Sequence, residues 1–309
     1  MKITLYILFV FFEVSLFGQI DVKNFDYSKA DSIALNFPKG KYKSYTEFIF
    51  PLTDSLKTDH EKFRAIFRWI TDNIIYSYSN RTSNPDKVVK KGKAVCGGYA
   101  SLLEVMCRSV GIKCIIVEGY SKTKISDINK TFKNSDHGWN AVKLHENWYL
   151  VDVTWASGYL DSKTRKFVKN YNNSYFLTDP DFFYLKHFPK DKSLFLTENK
   201  VKMRNFKRSP IFHDGIIDDN IIEILPKRGI IKIRLKSPLT LKIKSNDHLS
   251  SFGISLNNNK KVYIPDVLFI NDYYLVQQKF EKPGVYSMTI FANGHAIATY
   301  KLKIKKNWP

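Results

Sequence analysis

Three side chains in this 309-residue sequence have the types and the order of a thiol nucleophile with its base and orienting acid: Cys96, His137 and Asp152. Cys96 lies in Lys93-Ala-Val-Cys96-Gly-Gly-Tyr-Ala-Ser-Leu-Leu103, where an amphipathic helix is expected to begin. A thiol is a useful nucleophile at neutral pH only when its thiolate is stabilised, and the free N–H groups and positive dipole end of a helix do this. A histidine takes the thiol proton and returns it to a leaving group, while a carboxylate fixes the tautomer of that imidazole.

The elements that must position these groups are partly legible. Leu102, Leu103, Met106 and Val110 recur at three- and four-residue steps, one apolar stripe, and Gly111 stands where a helix ends in the left-handed region. Gly97 and Gly98 are expected to leave the thiol side unobstructed. Ile112 to Val117 reads as a buried strand. His137-Gly-Trp-Asn-Ala-Val-Lys-Leu144 and Trp148-Tyr-Leu-Val-Asp152 read as a hairpin turning at His145-Glu146-Asn147, which brings His137 and Asp152 to one end. Tight pairing would set His137 opposite a residue near Trp155, so a bulge or strong twist is expected to carry the carboxylate to the ring. Upstream, Thr58-Asp-His-Glu61 fits a capping box ahead of the apolar face Phe63, Ile66, Phe67, Ile70 and Ile74.

Several segments resemble the transglutaminase-like superfamily of papain-type cysteine enzymes: Phe63 to Tyr76, Val95-Cys-Gly-Gly-Tyr-Ala100, His137-Gly-Trp-Asn-Ala-Val142 and Trp148-Tyr-Leu-Val-Asp-Val-Thr-Trp155. Tyr175 to Phe183 and His187-Phe-Pro189 are similar to the segment after the core in the kyphoscoliosis-peptidase-like branch. The resemblance implies that Cys96 is the nucleophile, His137 the base and Asp152 the orienting carboxylate. It also implies an oxyanion hole built from the Cys96 N–H and an upstream side-chain donor, for which Tyr76 is the candidate by position. Val153 stands where the family usually has proline, and the tryptophan that often comes after the Pro189 region is missing. Tyr99, Trp139 and Trp155 are candidate substrate-binding residues; the alternative for each is that it fills the core, and for Trp155 the two readings are balanced.

The rest of the chain sets bounds. An apolar fraction of 44% with 15% aromatic residues excludes disorder as a class. Met1 to Phe12 carries one lysine and then an apolar run, read with Leu16 to Gln19 as a signal peptide over residues 1–19; the chain is then secreted or periplasmic, with no integral membrane segment after its removal. Cys96, Cys107 and Cys114 lack a disulfide framework spacing, and Cys107 and Cys114 read as core thiols. His60, His145 and His187 receive structural roles, and the absence of paired metal-ligand spacings argues against a metal; no cofactor is expected. Lys87 to Lys93 reads as a basic loop, and Ser121 to Asp136 as a polar loop that could act as a lid.

From Asn205 the texture changes to short alternating segments at 230–234, 239–244, 252–256, 261–264, 273–280, 285–291 and 296–304, separated by turn residues such as Asn293-Gly294. That is the pattern of a β-sandwich of immunoglobulin-like kind. The predicted architecture is therefore α+β: a papain-like, transglutaminase-like catalytic domain over residues 20–204, with the cysteine helix packed on an antiparallel sheet, then a β-sandwich over 205–309.

The formal charge of +20 favours acidic cell-envelope or extracellular surfaces as partners, and no nucleic-acid motif accompanies it. Two function classes remain. One is a thiol hydrolase acting on peptide or side-chain amides of a protein or peptide substrate, or, with an amine as acceptor, a cross-linking transglutaminase. The other is a catalytically silent binding protein that keeps the fold.

Overall fold

The computed structural model describes residues 25–161, 163–197, 201–259 and 261–307. The expected signal peptide lies outside the described residues. Among these, no helix is long and apolar enough to cross a membrane.

The N-terminal half is built around two helices. The first, Asp59–Asn73, starts on the expected capping box: the Glu61 N–H donates to Thr58 Oγ1 at 3.2 Å, and the Thr58 N–H donates to Glu61 Oε2 at 3.0 Å. Its predicted apolar face is buried. The second helix, Cys96–Ser109, packs on it through Leu102, Leu103 and Met106. It ends as expected at Gly111, whose φ of +80° no bulky residue adopts without strain. The Ile112 N–H donates to Cys107 O at 3.0 Å and the Gly111 N–H to Arg108 O at 3.2 Å, which satisfies carbonyls that the helix leaves open. Lys87 to Lys91 belongs to a short helix, Pro85–Lys91, rather than to a loop. Asn84 caps it and Pro85 supplies a first residue whose missing N–H costs nothing there.

The Cys96 helix packs on a four-stranded antiparallel sheet in the order Asn147–Val151, His137–Leu144, Lys113–Ser121, His187–Pro189. The first two strands form the predicted hairpin, closed by a two-residue turn because Leu144 pairs with Asn147. His137 pairs with Gly119, and Gly119 pairs in turn with Pro189. Gly119 is required by a close approach: a Cβ there would lie 2.4 Å from Trp139 Cη2 and 2.3 Å from Phe188 O.

The C-terminal region holds two sheets around one apolar core. One runs Ile221–Leu225, Leu239–Ser245, Tyr273–Gln278, Asp266–Ile270. The other runs Ile230–Arg234, His295–Lys305, Gly284–Ala292, Phe252–Leu256, Val262–Tyr263, with Ile230–Arg234 parallel to its neighbour and all other pairs antiparallel. All seven predicted segments contain strands. Ile211–Phe212, Ile221–Leu225 and Asp266–Ile270 were not expected, the last because all five residues are exposed on an edge and show no alternation.

The two regions touch around Asp214. It accepts hydrogen bonds from Tyr175 Oη at 2.5 Å and Asn172 Nδ2 at 2.7 Å, and pairs with Lys186. The Ser121–Asp136 segment is also tied down. Lys122, buried, donates through Nζ to Phe206 O, Ser209 O and Ser209 Oγ at 2.7–2.8 Å, and Asn129 N–H donates to Lys207 O at 2.8 Å.

Candidate active site

Cys96 is the first residue of its helix and is partly exposed. In that first turn the Gly98 N–H donates to Val95 O at 2.9 Å, while the N–H groups of Cys96 and Gly97 have no carbonyl one turn earlier to bond and can face an anion. Of the two glycines after it, Gly97 faces open space, whereas Gly98 is packed against Thr82 O and Ala94, contrary to expectation. Asn140 Nδ2 donates to Ala100 O at 3.0 Å, which ties the helix to the strand that carries His137.

His137 opens that strand, buried, with Nε2 2.6 Å from Asp152 Oδ2. Its other ring nitrogen, Nδ1, is thereby left free of Asp152, and Cys96 lies near enough for the ring to lower its thiol. The expected bulge is not what joins base and carboxylate. The strand Asn147–Val151 stops one residue short of Asp152, and Asp152 instead caps the helix Val153–Ser157. Oδ1 accepts from the N–H groups of Thr154 and Trp155, both at 3.0 Å, and this leaves Oδ2 pointing at the ring. Val153 is therefore the first residue of a capped helix, a position where proline is well tolerated and where valine serves here.

Sequence reasoning missed His187. Read as part of an aromatic stretch, it is fully buried and holds Nε2 3.0 Å from the same Asp152 Oδ2. Phe183 stacks on its ring at 3.9 Å and Trp155 lies 4.4 Å away. The only sequence signal was the resemblance of His187-Phe-Pro189, since 35 residues separate it from Asp152 and no spacing rule joins them.

The electrostatics derive from this packing. Burial opposes ionisation of Cys96, but the hydrogen bond and charge of His137 and the Gly138 N–H outweigh it and bring the thiol below its ordinary range. Burial likewise disfavours imidazolium at His137, yet Asp152 beside it pushes the ring up to about 10. Burial also works against a charged Asp152, which both histidines nevertheless hold far below the usual carboxylate range. Burial dominates at His187 and pushes it down to about 4. These directions favour an imidazolium at His137 beside an ionised Asp152, a neutral His187 and a thiol at Cys96 that ionises more readily than usual.

The ring nitrogens of His137 and His187 and the Asp152 oxygen lie within 4.8 Å of one another, the one such cluster among the described residues. A tetrahedral ion with bonds of about 2 Å spreads its ligand atoms to roughly 3.3 Å. The 2.6 Å contact between His137 and Asp152 is too short for that, so the group fits a shared proton better than a metal.

The remaining candidates divide. Trp155, partly exposed, stacks on His137 at 5.0 Å and stands beside the reacting groups. Tyr99 and Trp139 correct the expectation of a cleft lining: both are buried at 0% and 1% exposure, beyond the reach of substrate. The Tyr99 hydroxyl is spent on Ile74 O at 2.6 Å, and the Trp139 indole lies under the two histidines, 6.0 and 5.0 Å from their rings. Tyr76 lies close enough to Cys96 for a thiolate to raise its hydroxyl, after burial and Tyr78 have done so. Cys107 and Cys114 are buried, in contact with each other, and burial pushes the Cys107 thiol up.

Known proteins carry the same segments. Residues 46–153 match the sequence profile of the transglutaminase-like superfamily, a span that includes Cys96, His137 and Asp152. This part of the chain is a transglutaminase-like domain. The chain is 34% identical over 269 residues to kyphoscoliosis peptidase of Homo sapiens, covering 81% of this chain and 38% of that protein. With kyphoscoliosis peptidase of Mus musculus the identity is 29% over 296 residues, 90% of this chain and 42% of the relative. The Lim and transglutaminase domain protein ltd-1 of Caenorhabditis elegans is 27% identical over 202 residues, 60% of this chain and 28% of that protein. The chain thus spans less than half the length of these relatives, and the first two matches run beyond the transglutaminase-like domain into the C-terminal sheets.

Proposed function

We propose that this protein is a thiol hydrolase that cleaves amide bonds of a protein or peptide substrate. One observation supports the reading: His137 Nε2 lies 2.6 Å from Asp152, the carboxylate that caps helix Val153–Ser157, and the same ring is near enough to the helix-start thiol Cys96 to lower it. In the proposed reaction the Cys96 thiolate attacks the amide carbonyl carbon, forming a C–S bond and an oxyanion. First-turn N–H groups of the Cys96 helix stabilise that oxyanion. The tetrahedral species collapses, the C–N bond breaks, and the imidazolium proton of His137 passes to the departing amine. Neutral His137 then takes a proton from water as the water attacks the thioester, and collapse releases the acid with Cys96 and His137 again a charged pair.

Trp155 is the side chain we assign to substrate contact. Iodoacetamide labelling tests the reading: Cys96 should alkylate rapidly at pH 7, and His137→Ala should slow it by 10-fold or more. Slow labelling equal to that of Cys107 and Cys114 would mark a silent binding protein. Supplying a glutamine peptide with a primary amine separates transfer from hydrolysis, and amine incorporation in place of acid would make the protein a transglutaminase.

Two further parts of the reading concern the rest of the chain. We infer an exported protein, secreted or periplasmic, from the apolar run in residues 3–12; recovery of the protein with those residues intact in the cytosol would overturn it. The C-terminal sheets read as immunoglobulin-like. What supports this is their order, a four-strand sheet beside a six-strand one in which Ile230–Arg234 runs parallel to the last strand, His295–Lys305. An experimental structure with a different strand order would remove that support. The basic surface suits acidic envelope or extracellular polymers, and binding that persists in 1 M salt would count against charge as the cause.

A further inference from the structure

His187 has a place in the site but no part in the reaction written above. Its Nε2 lies 3.0 Å from Asp152 Oδ2 and its Nδ1 3.2 Å from Phe183 O. Both partners are acceptors, and a neutral imidazole has one N–H. The nearer, charged oxygen takes it, which fixes the tautomer with hydrogen on Nε2. The ring cannot turn away. Phe183 stacks on it at 3.9 Å and 17°, and its strand is pinned by Ser121 and Gly119. Asp152 therefore accepts four hydrogen bonds, two backbone N–H groups on Oδ1 and two ring N–H groups on Oδ2.

That sharing has a chemical consequence. A carboxylate committed to His137 alone would hold the imidazolium too firmly for the proton to leave for a departing amine. A second donor on the same oxygen draws off part of its charge. We propose that His187 is a positioning residue that moderates the hold of Asp152 on His137, keeping the His137 proton transferable. The proposal rests on the thiol-hydrolase reading and assigns a role within its site. The charged or titratable groups facing this cluster are Cys96 against His137, Tyr175 toward Asp152, and Lys186 behind Trp155. Lys186 is itself paired with Asp214, so its charge is largely answered.

The test is titration of the His137 ring by NMR in the full-length chain labelled with ¹⁵N-histidine, with His137→Gln used to assign the signal. His187→Phe removes the donor and keeps an aromatic ring, and His187→Gln restores an N–H near the Nε2 position. The Phe variant should raise the His137 midpoint by about one unit, a tenfold change in its proton affinity, and the Gln variant should return it close to wild type. Should His187→Phe fail to fold, His187→Leu removes the same donor with less bulk. A His137 midpoint unchanged or lowered in the donor-less variant, or equal in Phe and Gln variants, overturns the proposal. Iodoacetamide labelling of the wild type is read separately. Slow labelling would sink the hydrolase, while the His137 midpoint still decides whether His187 tempers Asp152.

Discussion

The interiors of the two halves differ in kind. Beneath the Cys96 helix, the N-terminal sheet buries His137, Asp152 and His187 in mutual contact, and leaves Trp139 Nε1, Asn140 Oδ1 and Thr154 Oγ1 without a partner. Between the C-terminal sheets lie Leu241, Ile243, Val276, Met288, Ile290 and Leu302. In that half Ser255 is answered locally by Asn259 O and Thr299 by His213 and Thr289, and the buried oxygen Asp219 Oδ2 is left without a partner. Burying polar and ionisable groups costs stability unless each is satisfied, so a fold accumulates them where chemistry needs them. The contrast separates a half shaped by what it does from a half shaped by packing.

The largest effect should come from the group with most partners. Asp152→Ala leaves two imidazoles and two backbone N–H groups without their acceptor. Removing one member of a buried charge pair typically costs about 3–5 kcal/mol. Urea unfolding of this variant should show a loss of that order, and Cys96 alkylation at pH 7 should slow with it. A variant as stable as wild type would break the claim that the carboxylate organises the half. Ile243→Ala, fully buried between the C-terminal sheets, should cost about 2–5 kcal/mol as a cavity while leaving the Cys96 alkylation rate unchanged. A slowed thiol in that variant would show that the contacts of Asp214 with Tyr175 and Lys186 transmit sheet packing to the site, and would blur the comparison.

Those residues also mark how far sequence could reach. Helix patterns, the capping box, the Gly111 terminus and the hairpin were legible because each is a local relation among residues a few positions apart. Cys96 and His137 were legible because a helix start and a strand start have local signatures, and resemblance joined them to Asp152. How Asp152 reaches the ring was not legible: a strand continuing past Val151 and a helix capped by Asp152 fit the same letters, and tertiary packing chose the helix. His187 stayed hidden because its partner lies 35 residues away and contact between them depends on a fourth strand pairing at Gly119 to Ser121. Tyr99 and Trp139 were misjudged since a large aromatic residue beside a nucleophile reads alike whether it lines a cleft or supports one. The edge strand Asp266–Ile270 escaped because an exposed strand with no alternation has no periodic signal.

The subtlest expected effect is in the pH dependence of stability, and it isolates the charged pair from everything else in the molecule. Folded His137, pushed up to about 10, keeps a proton that the unfolded chain releases near pH 6.5, so its contribution is complete below about 6.5 and is lost as pH rises through about 10. Cys96 acts in the opposite sense, because the folded thiol gives up a proton that the unfolded chain keeps until about pH 8.5. Wherever the folded thiol has given up its proton and the unfolded one has not, folded and unfolded pairs each hold one proton and the two slopes cancel. Above about 8.5 the unfolded pair holds none and stability falls. On the acid side, His187, pushed down to about 4, refuses a proton that the unfolded chain accepts below about 6.5, so stability declines there as well. Melting temperatures measured from pH 5 to 10 should therefore show a plateau for this pair in wild type. In Cys96→Ser the cancelling contribution is gone, and the alkaline decline should begin at lower pH, from about 6.5 upward. The difference between the two profiles removes every other titrating group. Parallel profiles would mean that folded Cys96 keeps its proton, and the N-terminal half would then hold its polar cluster for a reason other than nucleophilic chemistry.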